Sequence, residues 1–134
     1  MSSQISANAF IFNDKIDAAY IFQMYETDYP YIEKMFKTIL DSLVEDLASI
    51  HDNYRSENLE LIRKSVHKVK PTFGFAGMLT LQEKCKEFED KCQSALSISE
   101  IEMDFQEFIK CLDEAGAVLK EEYKKLRSFN NSGS

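Results

Sequence analysis

The chain has 134 residues, the length of one ordinary domain, and its 44% hydrophobic content is enough for a core. Its net charge of −7 argues against general nucleic-acid binding, which needs a basic face to displace counterions. No apolar run approaches the roughly 20 residues of a membrane span, and no basic region followed by an apolar block opens the chain, so neither a membrane association nor a signal peptide is expected.

Two prolines, four glycines and no tryptophan favour long helices over strands and turns. Residues 1 to 13 mix serine, asparagine and scattered apolar residues and are expected to form a loose lead-in. Asp17 then caps a short first helix carrying Tyr20, Ile21 and Met24. Asp28 followed by Pro30 in the first turn is a normal start for a long helix. Ile32, Met35, Phe36, Ile39, Leu40, Leu43, Leu47 and Ile50 give that helix a wide apolar face. Ser56 is the expected cap of the next helix, where Leu59, Ile62, Val66, Val69 and Phe73 step by three and four along one stripe. Thr80 with Glu83, and Ser99 with Glu102, have capping-box spacing. The helix after Thr80 buries Leu81, Cys85, Phe88 and Cys92, and the one after Ser99 buries Ile101, Phe105, Phe108, Leu112, Leu119 and Tyr123. Residues 128–134 are small and polar, a tail expected to fray. The pattern predicts an all-α fold, an antiparallel four-helix bundle with a short additional N-terminal helix, over residues 14–127.

Three cysteines, an odd number, without an export signal suggest a reducing cytosol, so a cytoplasmic location is expected. Cys85 and Cys92 lie seven apart on an otherwise apolar face, which fits buried thiols better than metal ligation. His51 and His67 offer no closely spaced ligand pair, and no metal is expected on this chain. No glycine-rich phosphate loop of the Walker type is present.

The densest chemistry lies in His67-Lys68-Val69-Lys70-Pro71-Thr72-Phe73-Gly74-Phe75-Ala76-Gly77. An uncharged histidine is a nucleophile near neutral pH, and lysines one and three residues on suit an anion, phosphate above all. His67 stands roughly 100° round from the Val66 stripe, at the edge of the core, in a column with Arg63, Lys64, Lys70, Pro71 and Gly74. A lone helical histidine and a run of lysines each fit an ordinary solvated surface. The conjunction of His67 with lysine at +3, a small residue at +7 and glycine at +10 points further. Pro71 has no N–H, so the His67 carbonyl loses its helical partner, and the helix is expected to kink or loosen there. Gly74 is open to two readings, an approach surface for a partner or close packing between helices. Gly77 reads as a left-handed helix end, and Phe75 as either core or an exposed docking residue.

His67, Lys70, Pro71, Thr72 and Gly77 together resemble the histidine phosphotransfer (HPt) family. That family carries histidine, two residues, lysine, then glycine or proline, then serine or threonine, with glycine ten after the histidine. Many members have glycine where Pro71 stands. The resemblance extends from about Ile16 to about Leu126 and beyond the motif rests on helix order. It implies a phosphoryl carrier of a two-component phosphorelay, with His67 as acceptor through its outer ring nitrogen and Lys70 stabilising phosphate charge. Lys64, Lys68, Pro71, Gly74 and Phe75 are the residues expected to meet partners. The partners implied are response-regulator receiver domains and a hybrid sensor histidine kinase, with Mg²⁺ held by the receiver and a monomeric carrier. Sensor kinases also place a histidine on a bundle helix, but they need an ATP-binding domain, and the acidic residue that follows their histidine is Lys68 here. The chain is therefore expected to carry a phosphoryl group without generating one from ATP. The alternative is an acidic helical-bundle adaptor that binds a protein partner without chemistry.

Overall fold

The structure, a computed structural model, describes residues 9–132, in which helices and turns account for every regular element. Five α-helices follow in order: α1 (Ala18–Tyr25), α2 (Tyr29–Arg55), α3 (Leu59–Phe75), α4 (Leu79–Ser94) and α5 (Glu102–Ser132), the last preceded by a 3₁₀ turn at Ile98–Ile101. α3 packs on α4 and α2, and α5 packs on α2 and α4, which closes a ring of four helices joined by short connections. The expected four-helix bundle with a short extra helix is the observed fold. No helix among the described residues is long and apolar enough to cross a membrane.

The helices start and stop where local chemistry satisfies their free backbone groups. Asp17 and Asp28 cap α1 and α2 as expected, accepting from the N–H of Tyr20 and Tyr31. The cap of α3 is Asn58, not Ser56; its side chain accepts from Leu61 N–H at 3.0 Å. The reason is the preceding turn. Glu57 takes a left-handed conformation (φ 56°), and the N–H of Asn58 returns to the Asn53 carbonyl, so α2 uses Ser56 to finish and Asn58 is the first residue free to cap. At the end of α3, Gly77 (φ 73°) makes the corresponding turn: its N–H bonds Gly74 O, and Met78 N–H bonds Phe73 O at 2.8 Å. This turn places Met78 at the start of α4, so Thr80 lies inside the helix and makes no capping box. Ser97 and Glu100, not Ser99 and Glu102, form the capping box, at the 3₁₀ turn.

The core is one cluster running through all five helices. Its ends reach further than expected. Phe10 and Phe12 are buried against Phe22, Tyr29, Phe36 and Phe129, so this part of the lead-in is anchored to the core although Ile11 between them is exposed, while residues 1–8 of the expected lead-in lie outside the described residues. The buried Glu122 on α5 fixes this segment by accepting from Asn13 N–H at 2.8 Å. At the other end α5 continues through residues 128–132 instead of fraying, and Asn130 donates to the Tyr29 carbonyl and to Glu33.

Candidate functional site

α3 presents two faces. Ile62, Val66, Val69 and Phe73 are wholly buried, and they fix the helix so that Lys64, His67, Lys68, Pro71 and Phe75 are exposed. The His67 side chain is 65% exposed, which leaves the ring accessible to a partner. The helix runs through Pro71 without interruption to Phe75. Phe75 is half exposed, and its carbonyl accepts from the Tyr25 hydroxyl at 2.9 Å, which ties α1 to the end of α3.

The ring is held from α4. His67 Nδ1 lies 2.8 Å from Oε1 of Glu89, whose side chain is only 9% exposed. A carboxylate has no proton to give, so Nδ1 is the donor in this contact. The neutral ring then carries its hydrogen on Nδ1 and its lone pair on Nε2, the nitrogen away from Glu89. The second oxygen, Oε2, meets the Lys70 ammonium at 2.8 Å in an ion pair and has no aligned hydrogen-bond donor. Burial pushes the Glu89 carboxyl up, but Lys70 and His67 outweigh it and hold it below the usual carboxylate value. Glu89 is therefore a charged carboxylate joining the histidine and the lysine in one chain of contacts.

Of the basic residues around His67, Arg63 pairs with Glu60 at 2.6 Å, and Lys68 lies 3.7 Å from the buried Asp46 of α2. Lys64 is on the exposed face. Lys70 is not the free ammonium that its spacing suggests, since it is already engaged with Glu89. Gly74 is not on the exposed face at all. It is buried, and a Cβ there would lie 2.6 Å from the Gln82 side-chain amide, so the end of that α4 side chain fills the space beside the glycine. Cys85 and Cys92 lie buried on α4 as unpaired thiols, and burial pushes them up to about 12 and about 11 respectively. Among the described residues no group of three or more histidine, cysteine or carboxylate side chains is placed to hold a metal ion.

Glu89 is the site residue that sequence reasoning missed. Its signal was an acidic residue on the apolar stripe, four after Cys85 and three before Cys92, but its partners are 19 and 22 positions away.

Comparison with known proteins gives the family and the fold. The Hpt domain family model matches residues 34–129, from inside α2 to near the end of α5. No curated protein matches the chain. Among solved structures, the HPT domain of an Hpt sensor hybrid histidine kinase from Shewanella is similar, with a TM-score of 0.69 at 18% identity over 83% of this chain and 95% of that domain. At that identity the likeness shows the fold. With a family match over well over half its length, a bundle of the same fold and a histidine on its exposed helix face, the chain belongs to the Hpt domain family, the histidine-phosphotransfer modules of two-component phosphorelays.

Proposed function

We propose that His67 is the phosphoryl acceptor of this chain, taking the group from the aspartyl phosphate of one receiver domain and passing it to the aspartate of another. The observation that carries this reading is the exposed imidazole whose Nδ1 is held by buried Glu89, leaving the Nε2 lone pair outward. Nε2 attacks phosphorus, the acyl P–O bond breaks, and the receiver's aspartate leaves as a carboxylate. The ring gains a substituent at Nε2 without losing its Nδ1 hydrogen, so it becomes a cation, and Glu89 lies beside that charge. Lys70 balances the Glu89 carboxylate, which would otherwise repel the incoming phosphoryl group, and its ammonium is one turn from His67. Mg²⁺ and its carboxylates belong to the receiver in this reading, because phosphoryl transfer depends on positioning and charge neutralisation.

A receiver approaches over Lys64, Lys68, Pro71 and Phe75, the exposed residues around His67. The chain is a carrier without ATP-dependent kinase activity. It acts in a reducing compartment such as the cytosol, consistent with three free cysteines. The test is incubation with a phosphorylated receiver. The wild type and His51→Gln should take up acid-labile, alkali-stable phosphate, and His67→Gln should take up none while keeping its helical content. Label that persists in His67→Gln would overturn the assignment, and an unlabelled wild type that still binds the receiver would favour the adaptor reading.

A further inference from the structure

The face where α4 meets α5 shares no residue with the His67 site, and it brings two nucleophilic side chains together. Lys84 Nζ lies 3.6 Å from Cys111 Sγ, across 27 positions of sequence. The other lysines of α4 are matched to carboxylates, Lys86 to Asp90 at 3.8 Å and Lys91 to Asp104 at 2.9 Å. Among the described residues Lys84 has no carboxylate within ion-pair distance, and its nitrogen is turned to the sulfur instead.

Both residues line two adjoining grooves of this face. One, of about 440 Å³, includes Met78, Leu81 and Ala115, and the other, of about 190 Å³, includes Phe88 and Phe108. Either groove admits a small oxidant to the sulfur. Cys111 is half-buried, whereas Cys85 and Cys92 are buried. Thiol oxidation follows exposure, so Cys111 is the first of the three to react.

We propose that Lys84 and Cys111 are a reversible oxidative cross-linking pair, in which a peroxide converts the thiol to sulfenic acid and the lysine amine captures it as a sulfur–nitrogen bond. In the first step sulfur attacks a peroxide oxygen. An S–O bond forms, the O–O bond breaks, and the departing hydroxide leaves as water with the thiol proton. In the second, the lone pair of the uncharged amine attacks sulfur. An N–S bond forms, the S–O bond breaks, and the hydroxide leaves as water with a proton from nitrogen. One hydrogen peroxide becomes two waters, and the protein loses two hydrogens.

Backbone nitrogen is known to capture sulfenic acid in this way. Here the 3.6 Å separation is close to the roughly 3–3.5 Å from which positioned atoms react, and both groups stand on packed helices. Capture keeps Cys111 from irreversible oxidation to the sulfinic acid, and a thiol reductant restores both side chains. The bond also closes a loop between α4 and α5, which restricts the unfolded chain and stabilises the bundle as a disulfide would.

The experiment treats the reduced, purified chain with hydrogen peroxide and maps its peptides by mass spectrometry. The expected product is a cross-linked pair of peptides joined at Lys84 and Cys111, two hydrogens lighter than its parents and separated again by dithiothreitol. The cross-linked protein should melt roughly 5 °C or more above the reduced form. Cys111→Ser should give no cross-link. Lys84→Arg, which keeps the positive charge but removes the nucleophile, should give none either, and a sulfenic-acid trap should label Cys111 several-fold more in that variant than in the wild type. Circular dichroism establishes that the variants are folded, and the wild-type peptide map needs neither of them. Cys111 oxidised in the wild type without a bond to Lys84, as sulfenic or sulfinic acid or as a disulfide, would overturn the proposal. So would a Cys111 that stays a thiol under peroxide that oxidises free cysteine. Neither result bears on His67 as acceptor.

Discussion

Lys70→Ala separates an electrostatic role for this lysine from a packing one. The substitution removes the ammonium 2.8 Å from Glu89 Oε2 and leaves a carboxylate whose side chain is 9% exposed, so water replaces the lost partner poorly. A hydrogen bond or ion contact to a charged group is worth about 1.5–3 kcal/mol, and that is the expected loss of stability at neutral pH. For a domain of this size it corresponds to a drop of roughly 5–15 °C in melting temperature. The loss should depend on pH. In the wild type the Glu89 carboxyl is held below its unfolded value, so the folded state binds fewer protons there. Its contribution is fully present above the ordinary carboxylate value and disappears as pH falls through the lower folded value. Without Lys70, burial, the largest influence on this carboxyl, pushes it upward against His67 alone. The difference between wild type and variant should therefore be greatest near neutrality and shrink in acid. Urea unfolding of both proteins at about pH 7 and about pH 3 measures this directly. A stability loss that is the same at both values would show that Lys70 acts through its methylenes and that the pair with Glu89 contributes nothing. The same charge lost from the phosphoryl-transfer step should slow transfer by roughly 10- to 150-fold.

Three further outcomes follow from the same geometry. The purified chain should neither bind nor hydrolyse ATP nor label itself from it, and stoichiometric self-labelling in a kinase-free preparation would contradict the carrier reading. Gly74→Ala should be tolerated, since its Cβ meets only the mobile end of Gln82 and alanine gains up to about 1 kcal/mol in a helix, whereas Gly74→Leu should force α3 and α4 apart at a cost of about 1–3 kcal/mol, both read by thermal unfolding. Asn58→Ala should cost about 1 kcal/mol by removing the cap of α3, while Ser56→Ala should stay within about 0.5 kcal/mol, as denaturant titration will show.

Much of the fold was legible because each helix must bury one stripe, and the three- and four-residue steps of Ile62, Val66, Val69 and Phe73 mark theirs directly. The caps were harder. Ser56 and Asn58 are both good capping residues two positions apart, and only the left-handed turn at Glu57 selects between them. The same holds for the overlapping Ser97–Glu100 and Ser99–Glu102 pairs, which have identical spacing. Phe10 and Phe12 carried no helical period, and they pack on rings distant in sequence, Phe10 on Phe129 at the far end of the chain and Phe12 on Phe22 and Phe36. In the site, His67 and Lys70 were visible because they share one helix turn. The pairing that engages Lys70 was not, because Glu89 reaches it from another helix. Gly74 showed the limit of a column argument: its angle on α3 is close to that of His67, yet the helix beside that angle is α4, not solvent.

The central claim is tested most directly by locating the phosphoryl group on the loaded protein. After incubation with a phosphorylated receiver, nitrogen and phosphorus NMR of the intact domain, with peptide mapping, identifies the residue and the ring atom. The expected result is one phosphate on Nε2 of His67, labile in acid and stable in alkali, with Nδ1 still protonated and in contact with Glu89. Phosphate on Nδ1, or on any other residue, would contradict the account.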